Sequence, residues 1–330
     1  MPPTEEFPIP PELAGQTLGA ILRQRLPGQS WTQVRKLVAA RRVLIDDALC
    51  LDPVRRLKEE EVLQVTPKPY PIHRGATVDG LTIRHLDDDV VVVEKASGIN
   101  TVRHPLERDW NDSRRELDPT LQDLTQFAIG ERLGKPKHTL PQLRIVQRLD
   151  KDTSGLVVFA RSVPAERGLG MQFSAHTVVR RYIAIVPGFL KPQSFTSWLV
   201  RDRGDGRRGS GPEGEGKRGV THVDVLERFE GFTMLACQLE TGRTHQIRIH
   251  LSEAGHSVCG EKVYNRRRNG EAIPDDSEAP RLALHATLLG FEHPTTGVQL
   301  QWEMALPLDL QGFVQRLRNR MADGSPTARP

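Results

Sequence analysis

The chain has 330 residues, a net charge of +4 and a sequence pI near 9.1, with 37% hydrophobic and 27% charged residues. That is a soluble globular balance with room for two domains, and apolar runs such as Val90–Val93 are far too short to span a bilayer. Cys50, Cys237 and Cys259 stand far apart, giving neither a zinc spacing nor a disulfide framework. The basic balance favours a polyanionic partner, and the Pro-rich, acidic start lacks the pattern of a leader peptide, so a cytoplasmic protein is expected.

Residues 1–11 read as a disordered or extended lead-in. Residues 12–66 form a small unit. Leu18, Ile21, Leu22 and Leu26 recur at helical spacing, and a second helix opens at the capping residue Ser30 and runs through Val34, Leu37 and Val38. Short strands follow at Val43–Ile45 and Val62–Val65, with Asp46-Asp47 as a turn. Cations gather on and after the second helix: Arg35, Lys36, Arg41, Arg42, Arg55 and Arg56. Pro67, Pro69 and Pro71 stiffen a linker over 67–79.

A larger unit spans 80–320. Leu81–His85 and Val90–Glu94 predict strands, and 103–119 read as polar and irregular. Thr120–Leu133 predicts a helix with Leu121, Leu124, Phe127, Ala128 and Leu133 on one face. The run Arg148-Leu149-Asp150-Lys151-Asp152-Thr153-Ser154-Gly155-Leu156 lies between two apolar stretches, which places Asp150 at a strand end beside a tight turn. Residues 163–176 predict a helix burying Met171 and Phe173, followed by a strand around Tyr182. The Gly/Arg-rich stretch 201–219 reads as a mobile loop or hairpin tip. Paired strands at His222–Phe229 and Phe232–Glu240 lead to Thr241-Gly242-Arg243-Thr244-His245-Gln246-Ile247-Arg248, with Arg243 just before a helix. A last helix over Leu308–Arg320 buries Leu310, Phe313, Val314 and Leu317, and 321–330 read as a disordered tail.

Turn chemistry alone gives Asp150 no special standing, because Asp, Thr and Ser cap turns with their own side chains. The segment nevertheless resembles the active-site motif of the RluA family of RNA pseudouridine synthases, with Gln147 where that motif usually opens with His. Arg180-Arg181-Tyr182-Ile183-Ala184-Ile185-Val186 and Gly242-Arg243-Thr244-His245-Gln246-Ile247-Arg248 resemble the family's second and third motifs. Lys95-Ala96-Ser97-Gly98 resembles a Lys-Pro-x-Gly segment with the Pro missing. The N-terminal pattern of two helices, strands and cations is similar to an S4 RNA-binding domain, although Arg42 stands where Gly is common and Asp46-Asp47 replaces an Asn-Gly turn.

The resemblance implies an α+β enzyme: an S4-like domain followed by a catalytic domain on a mixed, largely antiparallel sheet with flanking helices. It implies uridine isomerisation in structured RNA, ribosomal ahead of transfer RNA, with no cofactor and no metal. Asp150 is the expected carboxylate, acting on ribose C1′ or removing a ribose proton. Arg243 is the expected cation beside it, and Tyr182 the ring beneath the base. Arg148 is expected to fill the space of a flipped base, and Arg35, Lys36, Arg41 and Arg42 to contact RNA. Two other readings stand: a non-catalytic RNA-binding or assembly factor, and a retaining glycosidase with Asp152 as its second carboxyl.

Overall fold

The computed structural model describes residues 5–322 except 41, 47, 51, 68–80, 108, 266–270 and 272. Two units meet in the chain after Ala76. The expected linker lies outside the described residues from position 68 onward, as does the expected tail from 323.

In the first unit β1 (Glu5–Pro8), α1 (Leu18–Arg25), α2 (Trp31–Ala39), β2 (Val43–Ile45), β3 (Ala48–Leu49) and β4 (Val62–Val65) surround one core, with strand order β1-β4-β2-β3. Part of the expected disordered lead-in is ordered: Glu5–Pro8 pair antiparallel with β4, Phe7 opposite Leu63, and Ile9 is buried. The alternating Phe7 and Ile9 supply the apolar face, and an edge strand tolerates Pro8. Thr17 caps α1, and Ser30 and Gln33 form a reciprocal capping box on α2. Leu18, Ile21, Leu22, Val34 and Val38 then face the strands as the helical spacing predicts.

The second unit begins with β5 (Ile83–Leu86) and β6 (Val90–Lys95). Then come α3 (Asp112–Leu117), α4 (Leu121–Leu133), β7 (Arg144–Ile145), β8 (Ser154–Ala160), α5 (Val163–Ser174) and β9 (Val179–Pro187). β10 (Gln193–Val200), β11 (Gly209–Gly211), β12 (Lys217–Phe229), β13 (Phe232–Leu239) and α6 (Gln246–Glu253) follow, and β14 (Leu284–Glu292), β15 (Gln299–Glu303) and α7 (Leu308–Ala322) close the chain. Among the described residues they build one eleven-stranded sheet, ordered β11-β10-β12-β13-β9-β14-β8-β6-β5, with β15 on β14 and β7 on β8. Only the β14–β8 pairing is parallel among these. The valine run of β6 is a strand buried on both faces: Val91 and Val93 join the core beneath α4, α6 and α7, while Val90 and Val92 join the one beneath α5. No helix among the described residues is long and apolar enough to cross a membrane.

Several local expectations change. The polar stretch 103–119 contains α3, capped by Asn111. In α4 the capping box of Thr120 and Asp123 sets the phase, so Leu121, Thr125, Ala128 and Ile129 are buried while Phe127 and Leu133 are exposed. Thr125 fits the apolar side because its hydroxyl donates to the Leu121 carbonyl at 2.7 Å. In α5 the buried residues are Ala165 and Leu169, not Met171, which is exposed. Of the two forms expected for 201–219, the structure has the hairpin, whose β11 pairs with β10.

Gly155 marks a close approach of two strands in the sheet. Its φ is +129°, and a Cβ there would stand 2.6 Å from the Ala286 amide nitrogen on the parallel neighbour. Gly155→Ala combines backbone strain with a clash against backbone. It is expected to lower unfolding free energy by about 2–4 kcal/mol, read as an earlier urea midpoint at unchanged slope.

Two buried histidines give the fold a pH dependence. His285 bonds Ser154 at 2.9 Å, and His250 bonds Thr221 and Ser197 at 2.9 Å each. Burial lowers each from 6.5 to about 4. The unfolded chain therefore binds more protons between those values, and stability falls as pH drops through 6.5 toward 4. Each contributes a loss of about 2 kcal/mol by pH 5. Thermal melts at pH 7 and 5 check this, and His285→Gln is expected to shrink the difference.

Candidate active site

Sheet register brings the distant motifs to one level. Gly155 lies opposite Lys95 of β6 and Ala286 of β14, and Ala286 lies opposite Tyr182 of β9. Asp150 belongs to this level because β7 runs antiparallel to the far end of β8, and the chain after it returns to the start of β8. Asp150 thus sits in an irregular segment before a turn, rather than at a strand end. β7 is only two residues long, since the backbone after it bonds elsewhere: Thr101 Oγ1 both donates to the Leu149 carbonyl at 2.7 Å and accepts from its amide at 3.1 Å.

The turn is fixed from beneath by the segment after β6. The fully buried Lys95 ammonium donates to the carbonyls of Ala96, Lys151 and Thr153 at 3.0, 2.8 and 2.7 Å. Burial lowers its pKa to about 7, against the pull of Asp150 and Asp152. Three carbonyl acceptors match the three hydrogens of the ammonium, one more than a neutral amine offers. Ser97 Oγ adds a bond to the Asp152 carbonyl at 2.7 Å, and Gly98 N one to the Lys151 carbonyl at 2.9 Å. The Lys-x-x-Gly signal is therefore the anchor of the Asp150 turn.

The opposite wall comes from the turn between β13 and α6. Buried Gln246 folds it: Oε1 accepts from Thr241 Oγ1 at 2.7 Å and from Arg243 N at 3.0 Å, while Nε2 donates to the Val220 carbonyl at 2.9 Å. His245 adopts φ +58° immediately before α6. Its Nδ1 lies 2.7 Å from Tyr264 Oη, and its Nε2 3.8 Å from Asp150 Oδ1.

The cation beside Asp150 is Arg248, not Arg243. Arg248 Nη1 is 3.3 Å from Asp150 Oδ2, while Nε and Nη2 make two 2.7 Å bonds to Glu261. Burial opposes the Arg248 charge, but the Glu261 bonds and the charges of Glu261 and Asp150 raise its pKa on balance. Glu261 accepts from the amides of Val263 and Tyr264 and stays ionised through Arg248 despite its burial. Arg243 Nε instead donates to the Arg218 carbonyl at 3.2 Å, although Arg243 still lines the cleft. The physical reason is helix phase. Arg243 precedes the cap, whereas Arg248 lies in the first turn of α6, on the side that faces Asp150 and Glu261.

The cleft between these walls encloses about 860 Å³. Asp150, Tyr182, Arg148 and Arg243 all line it, so the second unit's four expected site residues come together. The Tyr182 hydroxyl is pushed up by burial and by Asp150, against Arg180, and stays protonated at neutral pH. Arg148 is exposed at the rim. Asp152, which a glycosidase needs as its second carboxyl, is not among the lining residues, and Asp150 is the one carboxylate among them. In the first unit Arg35 and Lys36 are exposed on α2, while Arg42 Nε is held by the Thr66 carbonyl at 2.7 Å. Arg55 and Arg56 are tied to Glu61 and the Gly15 carbonyl. Arg41 lies outside the described residues.

Arg248 stood inside the quoted third motif, so the signal for it existed. Glu261 and Tyr264 carried none, because what gives them importance is a contact made only after folding.

Comparison with known proteins shows the family of the chain. A family model described as RNA pseudouridylate synthase matches residues 89–253. The chain is 33% identical over 314 residues to the ribosomal large subunit pseudouridine synthase D of Zymomonas mobilis, covering 94% of this chain and 96% of that one. It is 34% identical over 295 residues to an uncharacterized RNA pseudouridine synthase of Bacillus subtilis, covering 88% and 90%. The solved human RNA pseudouridylate synthase domain containing 4 superposes with a TM-score of 0.57 at 21% identity, over 72% of this chain and 92% of that one, a likeness of fold.

Proposed function

Because this chain belongs to the RNA pseudouridylate synthase family and is an enzyme of that kind, we propose that it isomerises uridines of structured large-subunit ribosomal RNA, with Asp150 as the reacting carboxylate. The observation that carries this reading is the Asp150 carboxylate itself, lining a cleft with Tyr182 and held by Arg248 at 3.3 Å. The ribosomal substrate rests on the printed names of relatives aligned over nearly their whole length.

The chemistry follows from the positions. A uridine stacked in RNA is out of reach, so it is extruded at a cost of a few kcal/mol. Arg148 at the rim fills the vacated stack with its planar guanidinium. Asp150 then either adds to C1′, expelling uracil with the electron pair of the C1′–N1 bond, or removes a ribose proton to reach a glycal. Both routes use the carboxylate, which Arg248 holds through its 3.3 Å contact. The detached base turns over the Tyr182 ring and its C5 bonds to C1′. In the first route this displaces the Asp150 carboxylate with the electron pair of the Asp150–C1′ bond; in the second the abstracted proton returns from Asp150 to the ribose. The C5 proton then departs while N1 gains one. Arg243 contributes charge to the wall without touching Asp150, and the N-terminal unit acts as an S4-like RNA-binding module through Arg35 and Lys36, which are exposed on α2.

Arg243→Lys is expected to leave kcat within about threefold and to raise KM severalfold; steady-state kinetics on ribosomal RNA check this. The function itself is tested by tritium release from large-subunit ribosomal RNA carrying uridine labelled at C5. Release with the wild-type chain is expected. No release overturns the reading, and release from transfer RNA alone replaces the proposed substrate.

A further inference from the structure

The cleft contains a second buried cation that the isomerisation does not use. Arg180, in β9, is 7% exposed, and among the described residues no carboxylate pairs with it. Its Nη2 donates to the Glu240 carbonyl at 3.2 Å, and its Nε has no acceptor. The Phe173 ring lies 5.4 Å from the guanidinium carbon. On another side, Gly242 leaves room that any side chain would take: a Cβ there would stand 2.6 Å from Arg180 Nη1. Gln147 Nε2 and Thr153 Oγ1 are also buried without a partner, and they line the same cleft.

Arginine keeps its proton even when desolvated. A buried guanidinium without an anion is costly, and the cost is offset when a ligand brings the charge. Arg180 and Tyr182 project from the same face of β9, about 6–7 Å apart along the strand. A base lying on Tyr182 therefore carries its own backbone into Arg180's reach. The forked donors of a guanidinium match two oxygens of a phosphodiester.

We propose that Arg180 is the core of a phosphate subsite in the cleft wall, which grips the phosphodiester beside the extruded uridine. The proposal rests on the uridine reading of the cleft. Gln147 and Thr153 extend the same polar wall, and their unused hydrogen-bonding capacity is directed to the bound nucleotide.

The test uses the full chain and protein-free large-subunit ribosomal RNA. Affinity is measured across salt concentrations in an Asp150→Asn background, which removes turnover, and kcat is measured in the wild-type background. Arg180→Gln is expected to weaken binding about tenfold and to lower the slope of log affinity against log salt by about one, with kcat at saturating RNA within threefold. Arg180→Lys is expected to keep that slope. Should Arg180→Gln prove insoluble, Gly242→Ala crowds Nη1 while leaving the charge in place, and is expected to weaken binding severalfold. An unchanged slope with a collapse of kcat would assign Arg180 to the detached uracil and overturn the proposal. An unchanged slope with a lowered melting temperature, equal for Gln and Lys, would make it a packing residue only. Wild-type protein that binds this RNA but releases no tritium sinks the uridine reading, whereas the salt slopes still judge the phosphate contact.

Discussion

Asp150→Asn is expected to abolish isomerisation, by at least about 10³-fold in kcat, while RNA affinity changes by less than about threefold. The asymmetry follows from the geometry. The side chain keeps its size, and the turn beneath it is held by backbone carbonyls bonded to Lys95 and Ser97, none of which involves the carboxylate. What disappears is the negative charge that either adds to C1′ or takes a ribose proton. Single-turnover rates and filter binding on the same RNA separate the two effects. Equal loss of binding and rate would mean that Asp150 holds the turn together.

Arg248→Gln is expected to damage both stability and rate, for separable reasons. The Glu261 side chain is 1% exposed and takes two 2.7 Å bonds from Arg248. Removing the cation leaves a buried carboxylate unpaired, at a cost of about 3–5 kcal/mol. For a unit of this size that is roughly a 10 °C drop in melting temperature. Asp150 loses its partner as well, so kcat falls by about 10²-fold or more. The double variant Arg248→Gln/Glu261→Gln removes the orphaned charge and is expected to recover most of the stability and none of the rate. Recovery of both would reduce Arg248 to a structural ion-pair member and return the role beside Asp150 to another cation.

Much of this arrangement was legible before any coordinates, and the reasons for what was not are specific. Strands and the closing helix followed from local patterns: the β12–β13 pair turns at Glu230-Gly231, and α7 buries the four residues its spacing marks. Asp150, Tyr182, Arg148 and Arg243 carried motif signals and do share one cleft. The choice between Arg243 and Arg248 was not legible, because it depends on where the helix starts. Gln246, by folding the turn onto β12, puts the cap at His245 and turns Arg248 toward Asp150. The faces of α4 and α5 were misjudged for a similar reason. Apolarity alone named Phe127 and Met171, whereas Thr125 was buried by way of its own hydroxyl bond. The ordering of Glu5–Pro8 needed a partner fifty-odd residues away, which no local window contains.

The most direct test is the position of the target nucleotide. A structure of the Asp150→Asn chain bound to its ribosomal RNA substrate gives the distance between the side chain at position 150 and ribose C1′. The uridine is expected out of its stack, base against Tyr182, with C1′ about 3–3.5 Å from that side chain. A uridine still stacked in the RNA, or a C1′ lying nearer to another carboxylate than to position 150, would contradict the account.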